Sequence, residues 1–487
     1  MVVTRGQGEG DHSQTAEMYN IAELLKSDSK VKVAGVDFDG ILRGKIMSKD
    51  KFLSSIKNGF GMSSAIFGWD MHDVLYETSN TITSSEQGFS DIVAVIDLAS
   101  MRRLPSEDNI AFFFLRFLID GQPVCADGRG IMAALDSDLA SSGVRALAGV
   151  ELEFFNFQTP SQDGYSPGRR DLASYLQSHA VNQLRPLTAG MFGYSISRPV
   201  MSKGYFHDIY DKSLEAGCPI EGWHTESGPG VYEAAMNYAP ASRMADNVTI
   251  FKLLTRSIGV EHGITPCFMA KPIAGLPGNS GHIHVSLQDD GGRNLFARAS
   301  RDENAPWPDV EYLSDTGRSF LAGLLQALPG IMPLLAPNVN SYKRLIDNYW
   351  APVTLGWGLE DRLASIRLIA PPISKPAATR FEVRIPGADL HPHFALAAIF
   401  KSGWYGVQNS APLTLPPTAQ LPEGQKPQRL PNTLESALEL FSAKDSMARK
   451  IFGDEFVEAY TISRNHELKV WREAVTDWEF KRYIETV

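Results

Sequence analysis

From Val31 the run VKVAGVDFDGILRGKIMS alternates apolar and polar residues on both sides of an Asp-Gly break, which predicts a β-hairpin. DIVAVIDL from Asp91 and AFFFLRFLID from Ala111 predict further strands, so residues 31 to 120 read as a small sheet-rich unit. Beyond Gly121 the strands GVELEFFNF, GHIHVSL and RFEVRIP are separated by long amphipathic segments such as DNVTIFKLLTRSIGVEHG, which suits a large α/β unit with a mixed sheet. A Pro-rich stretch from 411 to 431 predicts a surface spacer. After it, Leu434, Leu438, Leu440 and Phe441 recur at helical spacing and predict a helical tail. The expected division is a flexible tail over 1–15, a small domain over 16–120 and a large domain over 121–487.

Composition narrows the class. At 487 residues the chain exceeds one ordinary core, which agrees with two domains. Lys and Arg total 46 against 56 Asp and Glu, and no basic block offers a footprint for nucleic acid. No run of about eighteen apolar residues offers a membrane span, and the polar first fifteen residues lack the core of a secretory signal. A cytoplasmic protein is expected. Cys125, Cys218 and Cys267 are too few and too scattered for a disulfide framework or a zinc cluster, so they read as free thiols.

Three strands carry a second signal. Glu151 and Glu153 in GVELEFF, His282, His284 and Ser286 in GHIHVSL, and Glu382 with Arg384 in RFEVRIP each fall two residues apart, so each set shares one face. Leu152, Ile283, Val285 and Val383 then face apolar packing. Solvated strands also carry alternating acids, but the strand around Glu151 is apolar on both phases, and an unpaired carboxylate there would be costly. A divalent cation is the economical partner. HTESGPGVYEAA adds Glu226 and Glu233 on either side of a Gly-Pro-Gly turn. A carboxylate-rich set with one imidazole suits Mg²⁺ or Mn²⁺ rather than zinc. Arg344, Arg362, Arg367 and Arg384 supply planar forks for carboxylate and phosphate. P-loop and kinase motifs are absent, which excludes the ATP-binding classes they define.

GVELEFF, HTESGPGVYE, SGHIHVSL, NSYKRL with the following AP, DRLASIR and RFEVR occur in the order and spacing of the glutamine synthetase family, which the chain resembles from about residue 31 to its end. The resemblance implies an α+β fold: a small N-terminal β-grasp domain, then a catalytic domain whose curved antiparallel sheet lines a funnel. It implies ring oligomers, commonly of twelve subunits, with active sites between neighbours. By motif position, Glu153, Glu226 and Glu233 resemble the ligands of the metal nearer the amino-acid substrate, and Glu151, His282 and Glu382 those of the metal that holds ATP. Arg344 and Arg384 resemble the glutamate and phosphoryl contacts, with Gly278 or Asn279 near the substrate amino group. Arg362, Arg367 and Arg380 resemble phosphate and nucleotide contacts, and His284 and Ser286 lie where ATP is bound. The implied activity is an ATP-dependent ligation through γ-glutamyl phosphate, with Arg362, Arg384 and Glu226 in catalytic roles.

Two positions depart from that family. Where glutamine synthetases carry an acid before the Ala-Pro that follows NSYKRL, this chain has Trp350, and an acid of the first hairpin is replaced by Ile41. Apolar side chains there favour an organic amine over ammonium, and hence a γ-glutamyl amide as product. An arylamine, already neutral at pH 7, could lie against Trp350. The alternatives are a glutamine synthetase whose ammonium site is rebuilt with Asp39 or Asp347, and a catalytically silent relative. Also, GNSGHIH replaces GSGMHxH, and HPH replaces NPY after RFEVRIPGADL.

Overall fold

A computed structural model of the chain describes residues 20–160, 175–176, 179, 183–347 and 349–487. The expected tail over 1–15 lies outside the described residues. The architecture is α+β, with two sheets and a helical layer.

In the first sheet, β1 (Lys30–Val36) and β2 (Leu42–Ser48) form the expected hairpin. With β3 (Phe60–Ser63), β4 (Asp91–Ile96) and β6 (Ile110–Ile119) they run in the order β2-β1-β6-β4-β3, while β5 (Arg102–Leu104) and β7 (Gln122–Pro123) pair with β6. β6 is central because it is apolar on both faces: Phe112, Phe113, Phe114, Leu115 and Phe117 are all fully buried.

The second sheet contains β8 (Val144–Gln158), β9 (Ile220–Thr225), β10 (Val231–Met236), β11 (Ala239–Pro240), β12 (Ile264–Cys267), β13 (Ile283–Asp289), β14 (Trp357–Leu359), β15 (Ile366–Ile369) and β16 (Arg380–Val383). Its order is β14-β15-β16-β13-β8-β10-β9, with β11 and β12 also on β8. The mixed sheet expected from the spacing of strands is antiparallel at every pairing but β14 with β15. β8 exchanges partners along its length, meeting β13 over Val144–Val150, β10 over Glu151–Phe155 and β12 over Phe155–Gln158. The sheet curls around that long strand.

DNVTIFKLLTRSIGVEHG forms the end of the helix Ala241–His262, which Gly263 closes in the left-handed conformation. The helix Asp315–Leu335 is long and apolar enough to cross a membrane by length and composition alone, although it is not a continuous apolar run. Two thirds of its most apolar window is buried inside the protein, where it packs on the helix Pro392–Gln408. The two backbones touch: a Cβ on Gly323 would lie 2.6 Å from the Cα of Gly406, and one on Gly406 would lie 2.7 Å from the Cα of Gly323. Gly406→Ala forces the helices apart and is expected to cost about 1–3 kcal/mol of stability, measurable as a fall in the urea midpoint. An unchanged midpoint would show that this crossing is loose.

The N-terminal hairpin is tied to the rest of the chain. Asp39 pairs with Arg464 of the helix Asp454–Glu473, and the ring of His391 hydrogen-bonds the carbonyl of Asp37 at 2.9 Å. All three cysteines are free thiols, as expected.

Candidate active site

The period-two reading of the strands holds residue by residue. Leu152, Ile283, Val285 and Val383 are fully buried on one side of the curled sheet. On the other side a row of polar groups crosses four strands, because Arg367 stands opposite Glu382, Glu382 opposite His284, and His284 opposite Gly149. Gly149 has no side chain, and the carboxylate of Glu151 lies beside the same strand's face, 3.1 Å from His284 Nε2.

Two donor groups form on this surface: Glu151 with His282 and Glu382, and His224 with Glu226 and Glu233. In the first, His282 Nδ1 lies 3.4 Å from Glu151 and 3.5 Å from Glu382. Those spacings approach the roughly 3 Å that separates neighbouring ligands of an octahedral ion bound at about 2.1 Å. His282 Nε2 has no partner among the described residues. Burial lowers the His282 pKa to about 4, so the ring is neutral near pH 7 and can present a lone pair. Burial opposes ionisation of Glu151, but hydrogen bonds from His282 and His284 outweigh it and hold that carboxyl far below the usual range.

In the second group, burial together with repulsion from Glu153, Glu151, Glu226 and Glu382 pushes Glu233 up to about 9. Burial is also the largest cause that brings Glu153 to about 6. Carboxylates that oppose each other's ionisation in this way are the donor set that divalent cations satisfy. The residues therefore fit Mg²⁺ or Mn²⁺ at both groups.

His224 was not anticipated. Its signal was present, since it precedes Glu226 by two residues, the spacing that marked the other pairs. It lies 3.8 Å from Glu233 and 4.0 Å from Glu226, and the Tyr194 ring stacks on it at 4.2 Å. Glu153, expected in this group, stands opposite Glu233 across β8 and β10, but its Oε2 accepts the Ser280 N–H at 2.6 Å.

The arginines divide by what they already hold. Arg367 donates to Glu382 at 2.9 Å and pairs with Glu360, and Arg384 pairs with Glu382. Arg380 Nε reaches His284 Nδ1 at 3.1 Å. Arg344 is buried, with its fork on the Ile385 carbonyl at 2.9 Å and Ser280 Oγ at 3.1 Å. Gly278 packs against it, and a Cβ there would meet Arg344 Cγ at 2.9 Å. Asn279 donates inward to the carbonyls of Met269 and Cys267 and leaves Oδ1 without a partner among the described residues. Arg362 is exposed, with no ion pair among the described residues.

A cavity of about 790 Å³ adjoins the first donor group and is lined by Glu151, Glu221, His284, Ser286, Lys375 and Arg380, among others. Its size suits a nucleotide-sized ligand. Glu221 and Lys375 join the anticipated His284, Ser286 and Arg380 there. Trp350 is 70% exposed on a turn with left-handed backbone, and no other ring stacks on it among the described residues. Ile41 lines a different cavity, which contains no member of either donor group. Within one chain, then, the structure does not bring Trp350 and Ile41 together.

A curled sheet bearing two carboxylate-imidazole groups beside a nucleotide-sized cavity is the framework of an ATP-dependent ligase, and the comparisons agree. The family described as "Glutamine synthetase, catalytic domain" matches residues 125–483, and the chain belongs to that family. It is 36% identical to type-1 glutamine synthetase 2 of Dictyostelium discoideum, over 97% of this chain and 88% of that protein. It is 30% identical to a glutamate--isopropylamine ligase of Pseudomonas sp, over 98% of this chain and all of that one. It is also 30% identical to a gamma-glutamylethanolamide synthetase of Streptomyces coelicolor, over 93% and 92%. A solved GmaS/ADP complex superposes with a TM-score of 0.75, covering 95% of this chain and 99% of that one at 23% identity, which shows the shared fold. The chain is an ATP-dependent carbon-nitrogen ligase of a family that uses ATP and divalent metals.

Proposed function

We propose that this enzyme joins glutamate to an organic amine, giving a γ-glutamyl amide through γ-glutamyl phosphate. The observation that carries the reading is the fate of the acids near the two replaced positions. Asp39 is buried in its pair with Arg464, and Asp347 pairs with Arg429 at 2.9 Å on the surface. Neither is free to counter an ammonium ion where Trp350 and Ile41 stand in place of acids. The relatives named for isopropylamine and ethanolamide support a small amine as the acceptor. The name glutamine synthetase on the 36% identical relative favours ammonium as the second reading.

In this mechanism Glu151, His282 and Glu382 would hold the metal of the nucleotide, and His224, Glu226 and Glu233, with Glu153 beside them, would hold the metal nearer glutamate. When bound, those ions neutralise the phosphates of ATP. His284, Ser286 and Arg380 orient the nucleotide in the cavity beside β13. Arg344 with Gly278 and Asn279 forms the wall on which glutamate is held. Arg362, Arg367 and Arg384 bring positive charge to the phosphoryl group as the γ-carboxylate of glutamate attacks the γ-phosphorus and ADP leaves. The amine then displaces phosphate at the γ-carbonyl carbon, and the released phosphate carries off the proton. A silent scaffold would not need both donor groups. We further propose a cytoplasmic ring assembly, in which Ile41 of one subunit reaches a neighbour's site.

The test is ATP- and glutamate-dependent phosphate release with isopropylamine, ethanolamine, aniline, putrescine or ammonium, with the amide identified by mass. At least one organic amine is expected to exceed ammonium in kcat/KM by tenfold or more, a difference of about 1.4 kcal/mol. A preference for ammonium would establish the second reading instead.

A further inference from the structure

A loop over residues 191–197 lies against the second donor group, and one side chain holds it there. Thr225, the last residue of β9, is buried and stands between His224 and Glu226 in the chain. Its hydroxyl donates to the Phe192 carbonyl at 2.6 Å and accepts the Ser195 N–H at 2.9 Å, while its own carbonyl accepts the Tyr194 N–H at 2.7 Å. One residue thus pins Phe192, Tyr194 and Ser195. Tyr194 has a left-handed backbone with φ of +56°, which an aromatic residue keeps only where its surroundings impose it.

The consequence falls on His224. The Tyr194 ring lies on the imidazole, with centroids 4.2 Å apart and planes 25° from parallel, and so opposes its rotation. Burial does not account for that placement, because Tyr194 is 70% exposed. At the ring's edge, His224 Nδ1 lies 3.0 Å from the Thr225 carbonyl oxygen. A carbonyl only accepts, so this bond puts the ring's hydrogen on Nδ1 and leaves the lone pair on Nε2, 3.8 Å from Glu233. The same loop passes Glu226 at Gly193, where a Cβ would lie 3.5 Å from Glu226 Oε1.

We propose that Thr225 is a positioning residue of this donor group: its hydroxyl fixes the loop so that Tyr194 clamps His224 with Nε2 toward Glu233, which sets the affinity for a divalent cation. Thr225 acts only through Tyr194 and His224. The inference rests on the reading of His224, Glu226 and Glu233 as a metal site, and it does not depend on the identity of the amine.

Titration of the full-length protein with Mn²⁺, followed by the electron paramagnetic resonance of the free ion, tests this without turnover. The native protein is expected to bind two ions per chain, one at each donor group, and weakened binding in Glu233→Gln identifies the ion of the second. Thr225→Val keeps the shape and removes the hydroxyl. It is expected to weaken that ion at least about tenfold and to leave the other unchanged, as loss of a group that orients a ligand does. Thr225→Ser restores the oxygen and is expected to bind both ions as the native protein does. Tyr194 is exposed, so Tyr194→Ala keeps the fold and decides the question if Thr225→Val does not fold. It is expected to weaken the same ion about tenfold, whereas Tyr194→Phe, which keeps the stacked ring, leaves it unchanged. Fewer than two bound ions in the native protein would remove the metal reading and this inference with it. Two bound ions, with full affinity in Thr225→Val or Tyr194→Ala or with weak binding in Thr225→Ser, would overturn the role of Thr225 alone.

Discussion

Glu382→Gln is expected to lower ATP- and glutamate-dependent phosphate release by about a thousandfold or more. Glu382 is buried to 1% exposure. Its carboxylate pairs with Arg367 and Arg384 and lies 3.5 Å from His282 Nδ1 in the first donor group. A glutamine keeps the volume but removes the charge that both arginines face and one anionic donor of the nucleotide metal. Losing one such preorganised electrostatic group costs about 3–4 kcal/mol of transition-state stabilisation in comparable sites, and here two functions fail together. The same change leaves the buried Arg384 without its counter-charge, so a fall in the thermal midpoint accompanies it. Glu382→Asp separates the two effects: it keeps the charge and therefore the fold, while the carboxylate withdraws by one methylene from His282. Activity in Glu382→Gln within tenfold of the native enzyme would remove Glu382 from the nucleotide site.

Most of this site could be read from the chain, for a definite physical reason. A strand with one buried face and one functional face writes its chemistry at every second position, and Glu151, His282, Glu382 and their buried neighbours keep that rhythm. His224 keeps it too, but WHTE offers a single alternation beside a Trp, too short to stand out. Tyr194 carries no periodic signal, since it lies in a loop with φ of +56° and meets His224 only through the tertiary fold. Residue type alone does not show what an arginine already holds: Arg344 donates to the Ile385 and Arg384 carbonyls and to Ser280 within the protein. The helix Asp315–Leu335 was missed because Pro329 and Pro333 interrupt an otherwise apolar helical run. The replacement of NPY by HPH, noted as a departure, has a structural account: His391 caps the helix Pro392–Gln408 through the Phe394 N–H and also bonds the Asp37 carbonyl, while His393 bonds Asp246.

Asp246 carries the second large effect, this time on stability. Its carboxylate accepts from Arg129 at 2.9 and 3.0 Å and from His393 at 3.0 Å, and Arg129 in turn bonds Asp97 at 2.6 Å. One buried group therefore joins the end of β4, the helix Gly128–Ser141, the helix Ala241–His262 and the helix Pro392–Gln408. Asp246→Asn leaves Arg129 undercompensated and is expected to cost about 3–5 kcal/mol at pH 7, read from urea denaturation. Acid tests the same contact in the native protein. Burial raises the Asp246 pKa, but the His393 hydrogen bond and the charge of Arg129 outweigh it and bring the carboxyl to about 2, below its ordinary 3.8. A carboxylate depressed on folding contributes its full stability above the unfolded pKa and loses it as pH falls through the folded one. The contribution is roughly 2 kcal/mol, lost between about pH 4 and pH 2. The stability gap between the native protein and Asp246→Asn should therefore narrow across that window while staying constant from pH 5 to pH 7. A gap that does not change down to pH 2 would mean that the loss in Asp246→Asn reflects packing, and that the ionised Asp246 contributes nothing of its own.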